Sequence, residues 1–349
     1  MFIYCSCLML GCNDSLDRSG SQLVEAATST SAFSITEFAH SGAAAFKRFI
    51  PSKRSPLPIE ERGGNCPAVW TSIASDLTAM FLDTSTNPSQ CNDDARAAIR
   101  EAFHDCGSWE TSLGATGGCD GSLILSVGND ELGRGENNGL QDISGKLLAL
   151  QNKWVAVDPS VTVADVIQFA ASVAIVTCPG GPQIKTFVGR KDSTTPAKGS
   201  LLPDVFAGAD DLYALFQRKG LSASELAALL GAHSTSKQFH VPGAPVNASQ
   251  DSTPGLWDVK YYAETLSPPS NVYVFPSDAK LAVHPTVGKE FKAFVGGQAK
   301  WTAAFGAAMT KMSLFGVAKD QKMIDCTSAV PRGTSKRDMR ASPINDRVR

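Results

Sequence analysis

The segment Arg100-Glu101-Ala102-Phe103-His104-Asp105-Cys106 is the densest concentration of chemistry in this chain. Read as helix, it puts Arg100 and His104 at i and i+4, one above the other on one face, where a base and a fixed cation share a pocket. Taken alone, an exposed arginine and a histidine near a helix end would explain the same residues. A little further on, Gly117-Gly118-Cys119-Asp120-Gly121-Ser122 presents Asp120 and Ser122 as oxygen donors on a glycine-rich turn, with Asp105 as a second carboxylate and the Gly118 carbonyl as another donor. Such donors suit Ca²⁺, which gathers about 6–8 oxygens. A solvated acidic turn would read the same way.

Outward from this segment, the pattern between Cys66 and Cys326 is helical nearly throughout and broken by Gly and Pro clusters, so a mainly α fold is expected. Val69 to Leu82 and Asp93 to His104 read as successive helices. Thr162 to Val176 opens with Thr162 and Asp165 in a capping-box arrangement and stops at Cys178-Pro-Gly-Gly-Pro. Ser222 and Glu225 repeat the box ahead of the stripe Leu226, Leu229, Leu230, on which His233 falls and faces inward. A lone histidine there is ordinarily a core residue, and zinc would need further ligands nearby. Lys289 to Leu314 reads as a last helical segment. The oxygen-rich run Asp251-Ser-Thr253-Pro-Gly-Leu256-Trp-Asp258 offers a second Ca²⁺ site.

Composition sets the outer bounds. The balance of 32 Lys+Arg against 34 Asp+Glu, net −2, lacks the basic excess of a nucleic-acid binder. The longest apolar stretch, Val163 to Val176, is interrupted by Asp165 and Gln168, so no membrane span is expected. Of nine cysteines, Cys5, Cys7 and Cys12 sit near the start, and the other six form no CxxC pair, which suits three disulfides in a secreted, oxidised protein. Residues 1–62 read as a signal and pro-segment or disordered leader, 63–330 as the folded domain, and 331–349 as a basic disordered tail. The sequon Asn247-Ala-Ser is compatible with secretion.

Taken in order, Arg100-x-x-Phe103-His104-Asp105, Gly118-x-Asp120-Gly-Ser122, Glu136-Asn137-Asn138-Gly139-Leu140, Cys178-Pro-Gly-Gly-Pro, Gly189-Arg190-Lys191, Leu230-Gly-Ala-His233-Ser234 and Asp251-Ser-Thr-Pro-Gly resemble the fungal secretory (class II) haem peroxidases of the plant-type superfamily. The resemblance implies an all-α, two-lobed fold, with a distal lobe over about 63–190, a proximal lobe over about 191–330, and haem b between them. It implies catalytic roles for Arg100, His104, Phe103 and Asn137, with Glu131 as the acid that orients Asn137. His233 would be the axial iron ligand and Asp278 its partner. Asp105, Gly118, Asp120 and Ser122 would hold a distal Ca²⁺, and Ser234, Asp251, Thr253, Leu256 and Asp258 a proximal one. Implied disulfides are Cys66–Cys326 and Cys91–Cys178, with Cys106–Cys119 as an extra bridge.

The implied activity is reduction of H₂O₂ with one-electron oxidation of small phenolic or aromatic donors by a secreted monomer. The sequence departs from specialised members of that family. Positions that carry three acids in manganese oxidisers read Asp93, Ala97 and Phe239, and the surface tryptophan of lignin peroxidases is replaced by Ala228. Trp109 and Trp257 are alternative relay positions, each read more simply as a loop or core aromatic. Two other readings stay open: a catalytically silent, Ca²⁺-stabilised haem binder, and a metal-dependent hydrolase using His104 and Asp105.

Overall fold

The computed structural model describes residues 65–333. The leader, its three cysteines and the tail beyond Gly333 lie outside the described residues. Among these, the architecture is helical: α1 (Val69–Phe81), α2 (Asp93–Gly107), α3 (Ser122–Leu125), α4 (Gln141–Val155), α5 (Val163–Thr177), α6 (Ala209–Arg218), α7 (Ala223–Leu230), α8 (Lys260–Leu266), α9 (Pro276–Val283), α10 (Val287–Lys292) and α11 (Gln298–Met312). The β-structure amounts to three two-residue antiparallel pairs, registered Leu82↔Cys91, Phe187↔Asp325 and Lys237↔Ser249, and one isolated parallel bridge, Ser249↔Val272.

α5 is buried along its whole length, as expected of a helix that is apolar all round. It packs against α1, α2 and α4, while α7 packs against α10 and α11. The expected Thr162 cap is present, with Thr162 Oγ1 accepting from Asp165 N at 3.1 Å. Its reciprocal half is not. Asp165 turns inward to Arg190, whose Nη1 donates to it at 2.8 Å, and to the Gly189 amide at 2.7 Å. Both side chains of this ion pair are essentially inaccessible, at 1% and 0% exposure, and Arg190 also reaches the Ser313 and Phe187 carbonyls. Ser222 and Glu225 do form the full box at the start of α7.

Two helical expectations need correcting. α7 ends at Leu230 and tightens into a 3₁₀ turn, Gly231–Thr235, that carries His233. Gly231 permits this, because a Cβ there would run into Trp301 Nε1 and the Tyr262 hydroxyl. The segment read as one helix from Lys289 to Leu314 breaks between Lys292 and Gln298, around Gly296, which has φ +70°.

All three disulfides form as implied: Cys66–Cys326, Cys91–Cys178 and Cys106–Cys119. Just beyond α6, Lys219 is 1% exposed. Its ammonium donates to the carbonyls of Gly107, Trp109 and Leu201 at 2.7, 2.9 and 2.6 Å, tying down the end of α2.

Candidate active site

α2 starts where Asn92 caps it, accepting from Ala95 N at 3.1 Å. Two turns on, Arg100 Nε donates to His104 Nε2 at 3.2 Å, the expected i, i+4 pairing. His104 Nδ1 lies 2.7 Å from Asn137 Oδ1, and Asn137 Nδ2 donates to the Glu131 carbonyl at 2.7 Å. The second bond fixes which way the amide points. Its oxygen therefore faces the imidazole, whose proton sits on Nδ1, leaving a lone pair on Nε2. Glu131 thus positions Asn137 through its main chain and not as an acid, because its carboxylate turns to Ala197 N at 2.8 Å.

The same turn holds the cation. Arg100 Nη1 and Nη2 donate to the carbonyls of Asn138 and Glu136, both at 2.9 Å. Burial pulls His104 down to about 3, with the Arg100 charge acting in the same direction. Burial also lowers Arg100 to about 10, which leaves it charged at neutral pH. Phe103 presents its edge to His104 and stacks on Phe216 at 6.3 Å.

On the other side, His233 Nδ1 donates to Asp278 Oδ2 at 2.7 Å. Pro276 at the start of α9 sets Asp278 in its first turn. Burial works against protonation of His233, but the charge and hydrogen bond of Asp278 outweigh it and raise its pKa above the ordinary value. The His233 side chain keeps 33% exposure while lying deep among protein atoms, so its open edge faces an internal crevice. Arg100 is close enough for its charge to act on the His233 ring. One partner escaped the sequence reading: Tyr261 Oη donates to the same Asp278 oxygen at 2.9 Å.

Both oxygen-rich runs close into pockets. In the first, Asp105 is fully buried and accepts from Gly121 N and Leu123 N at 3.2 and 3.4 Å. Asp120 accepts from Ser122 N at 3.1 Å, and the Gly118 carbonyl accepts from Asp120 N. Ser122 Oγ is buried without a partner. Burial and the neighbouring Asp120 charge push Asp105 well above the carboxylate range. In the second, Asp251 Oδ1 accepts from Thr253 N at 2.8 Å and Asp258 Oδ2 from Thr253 Oγ1 at 3.2 Å, while Leu256 N closes the turn onto the Thr253 carbonyl. Asp251 Oδ2 and Ser234 Oγ are buried without partners. Asp251 is raised to about 8, chiefly by burial and also by Asp258. Orphaned oxygens beside mutually repelling carboxylates fit a bound cation in each pocket. Among the described residues no group of three or more His, Cys, Asp or Glu is placed to hold a metal ion, so Ca²⁺ would rely on hydroxyls and carbonyls for much of its shell.

The departures also have structural correlates. Asp93 is ion-paired with Arg96 and lies 3.5 Å from Lys237 Nζ, while Phe239 is 42% exposed. Ala228 is fully buried. Trp109 stacks on Phe315 at 4.8 Å, and Trp257 is a core residue.

Known proteins resemble this chain over most of its length. The family profile named peroxidase matches residues 74–297. Manganese peroxidase 3 of Phlebia radiata is 31% identical over 278 residues, covering 72% of this chain and 74% of that protein. A peroxidase of Arthromyces ramosus is 30% identical over 301 residues, covering 79% and 78%. Manganese peroxidase H4 of Phanerodontia chrysosporium is 30% identical over 317 residues, covering 82% and 80%. A helical fold that joins Arg100, His104 and Asn137 by hydrogen bonds and holds His233 on a carboxylate, together with these matches, means that the chain belongs to the peroxidase family, as an enzyme akin to the fungal class II peroxidases.

Proposed function

We propose that this chain binds haem b in the crevice between α2 and the His233 turn, where His233 would hold the iron, and reduces H₂O₂ at the expense of small phenolic or aromatic donors. The single observation that carries the reading is the pair of histidines, each with Nδ1 held by an oxygen, His104 directing its Nε2 lone pair to Arg100 Nε–H, the group that peroxide would displace, and His233 keeping Nε2 for the iron. Haem, when bound, supplies the iron on which peroxide is reduced and the oxidising equivalents passed on to the donor. His104 Nε2, unprotonated even in mildly acidic solution, takes the proton of the incoming peroxide and returns it to the departing oxygen. Arg100 stabilises the negative charge that develops as the O–O bond breaks. Asn137 keeps the His104 proton on the far nitrogen. Asp278 makes His233 a more basic ligand.

Asp105, Gly118, Asp120 and Ser122 would hold a distal Ca²⁺, and Ser234, Asp251, Thr253, Leu256 and Asp258 a proximal one. Ser234 follows His233 directly, so the proximal ion would brace the axial turn, and Cys106–Cys119 would clamp the distal ligands beside His104. The donor is inferred to be a small aromatic molecule and not Mn²⁺, because Asp93 is neutralised by Arg96 and Lys237 and the other two positions carry no acid. Ala228, being buried, offers no surface relay. Secretion agrees with the three disulfides. Among the described residues no helix is long and apolar enough to cross a membrane. The hydrogen-bonded Arg100–His104 pair speaks against a silent binder. The test is a visible spectrum of the haem-reconstituted protein before and after one equivalent of H₂O₂. A Soret band that changes with peroxide and recovers with a phenol is expected; haem uptake without a peroxide response would overturn the catalytic reading.

A further inference from the structure

Behind His233 lies a run of oxidisable rings that peroxide cleavage leaves unexplained. Tyr261 stands edge-on to His233 with ring centroids 5.8 Å apart. Tyr262 follows Tyr261 at 5.3 Å, Trp301 follows Tyr262 at 6.0 Å, and Trp257 stacks on Trp301 at 5.2 Å and 14°. All four side chains are buried, none exceeding 1% exposure.

Their hydrogen bonds differ in a way that matters for losing an electron. A phenol gives up an electron readily only if its proton has somewhere to go. Tyr261 Oη donates to the Asp278 carboxylate, a group able to accept that proton. Tyr262 Oη donates to the Ala227 carbonyl at 2.9 Å and Trp301 Nε1 to the Ala228 carbonyl at 2.9 Å, and neither amide oxygen takes up a proton at ordinary pH. Trp257 Nε1 is buried with no partner at all. Of the four rings, Tyr261 is both nearest to His233 and the one equipped to shed a proton.

We infer that Tyr261 is a redox-active residue that reversibly stores an oxidising equivalent on the proximal side of the site. The inference rests on the haem peroxidase reading, since the oxidant is the bound haem after its reaction with H₂O₂. One electron passes from the Tyr261 ring to that oxidised group, and the phenolic proton moves along the hydrogen bond to Asp278. A neutral tyrosyl radical remains, and the haem is reduced by one equivalent. An electron from an external donor, delivered through the haem, reverses both transfers. Because the whole run is enclosed, it holds the equivalent inside the protein and does not deliver it to a bulky substrate at the surface.

The test uses the haem-loaded full chain, mixed with H₂O₂ without a phenol, freeze-quenched, and examined by electron paramagnetic resonance while absorption is followed in parallel. A tyrosyl signal is expected, narrowed when the protein is made with ring-deuterated tyrosine, lost in Tyr261→Phe and kept in Tyr262→Phe. Both variants should still take up haem and show a Soret band that responds to H₂O₂. A signal that survives Tyr261→Phe, or no protein radical although the Soret band responds to peroxide, would overturn the inference and leave the peroxidase reading standing. Failure of the wild-type Soret band to respond to peroxide would overturn both.

Discussion

Replacing His104 with leucine tests the site where its geometry is most demanding. His104 donates from Nδ1 to Asn137 and receives the Arg100 Nε–H on Nε2, so the variant removes the base and keeps the cation. General-base catalysis contributes about 10²–10⁴-fold, which corresponds to about 3–5 kcal/mol of barrier. Haem uptake should be unchanged, because His233 and Asp278 sit on other elements. The wild-type pH profile adds a sharper figure. At pH 5 an imidazole with the ordinary value of about 6.5 is only about 3% neutral, whereas one held at about 3 is about 99% neutral. The enclosed site therefore gains about thirtyfold in active base at that pH. The assay is stopped-flow measurement of the second-order rate constant for H₂O₂ at the Soret band from pH 3 to 8. The wild type should be flat down to about pH 4, and Arg100→Leu should shift the acid limb upward, since one of two causes of the low value is gone. A wild-type limb near pH 6.5, or a His104→Leu rate within about tenfold of wild type, would refute the reasoning.

Four further outcomes are expected. With chelator present, the melting temperature should fall as pH rises from about 4 to 8: Asp251, raised to about 8 in the folded chain, binds more protons folded than unfolded across that window, and saturating Ca²⁺ should flatten the slope. Arg190→Met should cost about 3–5 kcal/mol in denaturant unfolding, because it strands Asp165 as an unpaired buried charge. Cys106→Ser with Cys119→Ser, which opens a loop with a sequence separation of 13 residues, should cost about 3 kcal/mol on the loop-entropy estimate, and the loss should appear in thermal melts. Asp278→Asn should lower activity by about 10–100-fold while leaving the protein folded, read from steady-state kinetics beside circular dichroism.

Much of the site was legible because its residues lie close together in the chain. The Arg100–His104 pair follows from helical spacing alone, and Ser222 with Glu225 announces the helix that ends ahead of His233. Other features depend on long-range packing that spacing does not encode. Asp165 reads as the acid of a capping box, yet a buried arginine 25 residues away captures it. Glu131 reads as an acid acting on Asn137, yet it acts through a carbonyl, which any residue could supply. The break near Gly296 was visible as a Gly-Gly step, but helical periodicity on both sides masked it. Tyr261 carried no motif; its importance comes from meeting Asp278, 17 positions on, across the turn between α8 and α9.

The Lys219 clasp has a consequence of its own. Three carbonyls converging on one charge make a coordination shell of the kind that would suit a free monovalent metal ion, but here the ion is tethered by four methylenes and cannot diffuse away. Dialysis or chelation would empty the two carboxylate pockets of the Ca²⁺ proposed for them, yet the end of α2 keeps its counter-charge. Loss of divalent ions should therefore loosen the 118–122 and 251–258 turns first, while the Gly107–Trp109 bend stays pinned. The protein carries one cation as inheritance, and the two Ca²⁺ proposed here would have to be collected from its surroundings.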